Sequence, residues 1–402
     1  MINSAELKNF GPIKALDWQN LGKINLIIGN NGCGKSFVLK ALYSAMRTLE
    51  EYKRGETLES DAEILANKLH WTFQAEKIGD LVNKKANEPL LFKLFFNETL
   101  FEYGFGKDTV KSISNLKNEV TPRSDNSVYL PAKEVLSLFN IIFDSRKNKK
   151  AFGFDDTYLD LVIALFKQYE GKELLTRISV SQQQINQLVN SIISNTKLAE
   201  EIKNSLIEEA GKIKKERNIE HKKYIREQQT LQKNKLAPTS NVFNECQVKL
   251  NNMIGGKIEY DYEAKRWYFK QGNQKFSVGV VAEGIKKIAI LDTLLGNGYL
   301  NENSIIFIDE PESALHPEAI DKLLDIIAIL AQHGIQFFLA SHSYFVIKKL
   351  FLIAQKQQMS IPVLSFQNNE WIQSDLKNDL PDNPIIDESI KLYEEQLDLS
   401  DS

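Results

Sequence analysis

The sequence predicts an α/β fold interrupted by a helical insertion, on three observations. Near the start an apolar run over residues 23–29 leads into a glycine-rich loop and then into a segment with helical periodicity. Far along the chain a second apolar run, residues 304–308, ends in paired carboxylates, and a third, residues 335–340, ends at Ser341-His342-Ser343. Between them, over residues 155–236, proline is absent and helix formers such as Gln, Lys and Glu dominate.

Each element follows in order. Residues 4–10, 13–18 and 23–29 read as short strands, the first two parted by the Gly11-Pro12 break. The third is apolar enough for a central buried strand. Over residues 35–51, Phe37, Val38, Ala41, Leu42, Ala45 and Leu49 recur at helical spacing. Residues 90–96 and 99–105 flank Asn97-Glu98 as an antiparallel hairpin, and residues 127–130 form a short strand that stops at Pro131. Beyond Ala237-Pro238, strands return at 256–262 and 267–270, followed by a helix near 285–295. The expected organisation is an N-terminal part with a β-rich lobe over residues 1–154, a helical arm over 155–250, and a C-terminal part over 251–402.

Composition bounds the class. Of 402 residues, 43% are hydrophobic, enough for a sizeable core. Fifty Lys and Arg against 53 Asp and Glu leave a net charge of -3, which excludes a globally polybasic coat for nucleic acid or lipid. Only Cys33 and Cys246 are present, too few for a disulfide framework or a zinc knuckle, so a reducing cytoplasm is expected. No export signal or membrane-spanning run is recognised. One local exception begins at Lys212 and ends at Lys235, with nine Lys/Arg against three Glu. It reads as a solvated helical face, with a DNA or RNA contact as the alternative.

The chemistry lies in the loops. Gly29-Asn30-Asn31-Gly32-Cys33-Gly34-Lys35-Ser36 fits G-x-x-x-x-G-K-[ST], in the strand-loop-helix context that the motif requires. Its backbone N–H groups would cradle a phosphate, Lys35 would reach the β and γ phosphates of ATP, and Ser36 would ligate Mg²⁺. Cys33 reads as a spacer, the alternative being a low-pKa redox thiol at a helix start. Asp309, at a strand tip, would hold Mg²⁺, and Glu310 beside it would orient or deprotonate the attacking water. His342 would sense or stabilise the transferring group; a packing role is the alternative.

Spacing narrows the type of nucleotide enzyme. Ser36 and Asp309 are 273 residues apart, whereas Asp309 and His342 are separated by only 33. With these motifs at the two ends of a chain split by a helical lobe, the sequence resembles the ABC-type ATPases of the SMC, RecF and OLD class. The resemblance implies an ABC-like head and assigns the family's signature segment to Val281-Ala282-Glu283-Gly284-Ile285-Lys286-Lys287. It further implies that Gly284 and Lys287 bind nucleotide, Gly284 toward the γ-phosphate of a second subunit, in a head-to-tail dimer or higher homo-oligomer. Gln74 is the implied magnesium-sensing Gln, with a plain surface Gln as the alternative. Ala282 departs from the family by replacing the signature Ser, which implies slow turnover.

OLD-type enzymes carry a nuclease domain after this core, but only 60 residues follow His342, and from residue 375 onward nine are Asp or Glu. No nuclease of its own is therefore expected. What remains resembles the stand-alone ATPase subunits of Septu and PARIS type anti-phage systems, which implies a separately encoded nuclease effector. The alternative is a RecF or SMC-like DNA-repair ATPase that binds DNA directly. A third reading is a scaffold that holds ATP without hydrolysing it.

Overall fold

The computed structural model describes residues 1–55, 59–166, 241–261 and 264–400. Most of the expected arm, including the basic run from Lys212 to Lys235, lies outside the described residues. The remainder forms a compact unit from Met1–Lys167 and Val242–Ser402.

In the N-terminal lobe β1 (Ile2–Phe10), β2 (Ile13–Trp18), β4 (Leu90–Phe96), β5 (Thr99–Phe105) and β6 (Asn115–Asn118) pair antiparallel in the order β2-β1-β4-β5-β6. The central sheet has six strands in the order β14-β13-β3-β12-β11-β7. These are β3 (Ile24–Ile28), β7 (Ser127–Leu130), β11 (Ile305–Asp309), β12 (Gln336–Ser341), β13 (Pro362–Gln367) and β14 (Glu370–Asp375). All neighbours run parallel except β13 and β14. A third sheet joins β8 (Lys257–Asp261), β9 (Arg266–Gln271) and β10 (Gln274–Ser277).

The central sheet is covered on both faces, and strand alternation shows how. Ile24, Leu26, Ile306, Ile308, Phe337 and Leu339 join one core; Ile27, Ile305, Phe307, Phe338 and Ala340 join the other. The second core is closed by α1 (Lys35–Glu51), α2 (Asp61–Thr72) and the N-terminal lobe. The first takes α3 (Phe139–Phe143), α4 (Asp156–Phe166), α5 (Asn241–Ile254), α6 (Glu283–Gly296), α7 (Pro317–Gln332) and α8 (Tyr344–Gln357). Each buried Leu, Ile or Phe contributes on the order of 1.5–3 kcal/mol. The buried Asn25 of this sheet is satisfied: its amide donates to the carbonyls of Gly22 and Phe337, at 2.9 and 3.0 Å.

The expected arm boundaries differ from this arrangement. Leu161, Val162, Phe243, Cys246 and Leu250 are core residues, so helical segments at both ends of residues 155–250 pack within the head. Burial of their apolar faces assigns them to the core. The terminal helix α9 (Pro384–Ser400) follows β14. Among the described residues no helix is long and apolar enough to cross a membrane.

Candidate nucleotide site

Because β3, β12 and β11 are parallel neighbours, their carboxyl ends open on one side of the sheet, where ligands of open α/β folds bind. The glycine-rich loop leaves β3 there. Gly34 has φ 105°, and a Cβ at this position would lie 2.8 Å from Ile13 Cδ1, so only glycine lets the loop pass the β1–β2 turn. α1 starts immediately afterwards, and its N-terminal N–H groups face the loop. The Lys35 ammonium, nearly buried, donates to the Gly29 and Asn30 carbonyls at 2.7 and 3.1 Å. Burial pushes the Cys33 thiol up, against a redox-sensing thiolate and consistent with the spacer reading.

Asp309 ends β11 at the foot of this loop. Burial raises its carboxyl above the usual range, with the facing Ser36 and Tyr129 hydroxyls pulling the other way. Tyr129 OH donates to Oδ2 at 3.1 Å, while Oδ1 is buried without a hydrogen-bond partner. A carboxylate that faces the Ser36 hydroxyl and keeps one orphan oxygen suits a hard cation that takes waters and phosphate oxygens as its other ligands. Ser36 and Asp309 therefore fit Mg²⁺. Among the described residues no group of three or more His, Cys, Asp or Glu converges as a metal cage.

Glu310 adopts φ 50°, uncommon for a residue with a side chain. Its N–H donates to the Ala340 carbonyl of β12 at 2.9 Å, and Ser313 N–H donates to its carbonyl at 3.0 Å. The bend brings its carboxylate 3.4 Å from His342 Nδ1, at the end of β12. Glu312 braces the same corner, accepting from Ser341 Oγ at 2.8 Å and from His342 N–H at 3.2 Å.

Residues 281–287, the expected signature segment, reach this corner within one chain. Ala282 is the N-cap of α6 and offers no side-chain cap. A Cβ on Gly284 would lie 2.5 Å from the Ala314 carbonyl and 2.7 Å from Leu315 Cδ2, so glycine is required for α6 to lie against the loop after the acidic strand. Lys287 donates to the carbonyls of Glu310 and, at 3.4 Å, Asp309. Burial pushes its ammonium down to about 8, opposed by Glu312, Asp309, Glu310 and Glu283. Gln74 lies just past α2, where Phe73 packs on Phe37 with centroids 4.5 Å apart; its amide oxygen accepts from Gly153 N–H at 3.1 Å.

The structure thus gathers the phosphate loop, Asp309, Glu310, His342, Gly284 and Lys287, and pairs Gln74 with the segment before α4. Sequence reading gave no role to Tyr129 or Glu312. Tyr129 stands on the strand stopped by Pro131, and only the long-range β7–β11 pairing brings it to Asp309. Glu312 lies in the run after Glu310 and was visible as an acid but not as a brace.

A family model described as "AAA domain, putative AbiEii toxin, Type IV TA system" matches residues 24–348. "Uncharacterized protein MJECL10" of Methanocaldococcus jannaschii is 31% identical over 129 residues, 32% of this chain and 56% of that protein. The chain thus spans little more than half the length of that relative. Two solved structures are similar in fold. An Smc head bound to the C-winged helix domain of ScpA has TM-score 0.50 at 14% identity, covering 94% of this chain and 98% of that one. The Smc head domain of Pyrococcus furiosus, with an extended coiled coil and bound to the C-terminal domain of ScpA, has TM-score 0.48 at 16% identity, covering 98% of both chains.

Proposed function

This chain belongs to the AAA-domain family whose model it matches, and from that premise we propose that it is the ATP-hydrolysing switch subunit of a bacterial defence complex. The fold is that of an ABC-like P-loop ATPase head. One observation carries the reading of the site: Lys35, Ser36, Asp309, Glu310 and His342 meet at the carboxyl ends of three neighbouring parallel strands. The loop and Lys35 would hold the phosphates, and Ser36 and Asp309, with its orphan carboxylate oxygen, would hold Mg²⁺, whose chemistry there would be to neutralise charge on the phosphates. Glu310 orients the attacking water and takes its proton, and His342, in contact with that carboxylate, fixes its direction.

The exposed signature end of α6 faces the nucleotide of a second copy bound head to tail. The output passes to a separately encoded nuclease effector, as in Septu and PARIS type systems; a family description that couples an AAA domain to a toxin supports such a setting. Two variants test the site. Glu310→Gln should keep ATP and Mg²⁺ but stop phosphate release, losing roughly 100-fold or more, whereas Lys35→Ala should abolish ATP binding in a nucleotide titration. Wild-type turnover by the first variant, or wild-type affinity in the second, contradicts the assignment.

A further inference from the structure

We propose that Lys287 is a positioning residue for Glu310, acting from inside the same chain and not as a ligand of nucleotide; this rests on the reading of Glu310 as the carboxylate that handles water.

Glu310 holds a left-handed conformation that costs a residue with a Cβ roughly 1–2 kcal/mol, so neighbours must maintain it. Its peptide groups are fixed from three sides. Ala340 of β12 accepts its N–H, Ser313 N–H donates to its carbonyl, and Lys287 donates to the same carbonyl, filling both lone pairs. Lys287 also reaches the Asp309 carbonyl at 3.4 Å, so one ammonium holds the two carbonyls on either side of the Glu310 Cα. Rotation of the backbone about the Glu310 Cα would swing its carboxylate away from His342.

The placement of Lys287 on α6 gives this contact a further consequence. Gly284, one turn earlier, seats the helix against the Ala314 carbonyl, while Lys286 turns away to Ser137 Oγ at 2.9 Å and Glu134 at 3.5 Å. The two lysines therefore clamp α6 between the segment that joins β7 to α3 and the acidic corner. A shift at the exposed N-terminus of α6 is felt at the Glu310 peptide through Lys287.

The test uses the full chain and reads two numbers, ATP affinity by titration and kcat by phosphate release. Lys287→Met should lower kcat roughly 10- to 100-fold, the size expected when a catalytic group is slightly misplaced, with ATP affinity within about twofold of wild type. Lys287→Arg, whose guanidinium still donates to the carbonyls, should recover most of the loss. If Lys287→Met fails to fold, Lys287→Gln is read by the same numbers. Unchanged kcat overturns the proposal; so does a loss confined to ATP affinity, which would make Lys287 a nucleotide ligand. Glu310→Gln is run alongside. Wild-type turnover there overturns the reading of Glu310 and this proposal with it, whereas an inactive Glu310→Gln beside a fully active Lys287→Met overturns only the positioning role.

Discussion

Asp309 shows how one side chain joins stability to chemistry. Tyr129 satisfies one carboxylate oxygen and leaves the other bare and buried. Tyr129→Phe should therefore cost about 1–3 kcal/mol, because a second carboxylate oxygen loses its partner; a denaturant melt that overlays wild type would refute this. Ala282 is the opposite case, an N-cap without a capping side chain. Ala282→Ser should stabilise by about 0.5–2 kcal/mol through a hydroxyl on the free N–H groups of α6, and a melting temperature at or below wild type would count against it. Substituting Gly284 is a poor probe of shared sites, since any side chain there strikes Ala314 of its own chain. The phosphate loop, Asp309, Glu310 and His342 were legible because their chemistry is written in contiguous residues. Tyr129 and Glu312 were not, since their roles exist only after β7, β11 and β12 pair.

Among elements, α1, α2 and α4 are tied by a buried ionic network. Lys68 Nζ lies 3.0 Å from Glu51, 3.3 Å from Asp160 and 3.4 Å from Asp156. Arg47 pairs with Glu50, Glu51 and Asp160, Tyr43 donates to Asp160, and Arg146 pairs with Asp156. Burial works against the Lys68 charge, yet Asp160, Glu51 and Asp156 hold its ammonium above the usual lysine range. Lys68→Met leaves Asp156 and Asp160 facing each other without that cation, and should destabilise by about 3–5 kcal/mol. A loss below about 1 kcal/mol would show that the network is dispensable. The network joins the helix that follows the phosphate loop to the helix that leads toward the arm. Strand β3 and helix α1 were readable from period and glycine placement. The ionic tie was not, because charges at Arg47, Lys68 and Asp160 look like surface residues until three helices meet. The range expected for the arm takes in α4 and α5, whose place in the core appears only once their apolar faces meet the sheet and its neighbouring helices.

For the whole molecule, the split of the motifs between the two ends of the chain was visible as spacing, and the parallel order β3-β12-β11 is what closes that gap in space. The N-terminal lobe and the helices of the C-terminal part cover opposite faces of one sheet, so the site sits where both cores end. Val280, beside residues 281–287, and Phe345, three residues past His342, have 77% and 60% of their surface open. The proposed second copy would cover these exposed apolar groups when nucleotide is bound. The most direct measurement is the mass of the Glu310→Gln chain in solution, by light scattering, with and without ATP and Mg²⁺. We expect a monomer without nucleotide and a dimer with it, and no such change when Lys35→Ala is added to the same chain. A Glu310→Gln chain saturated with ATP and Mg²⁺ that remains monomeric would contradict a site shared between two copies.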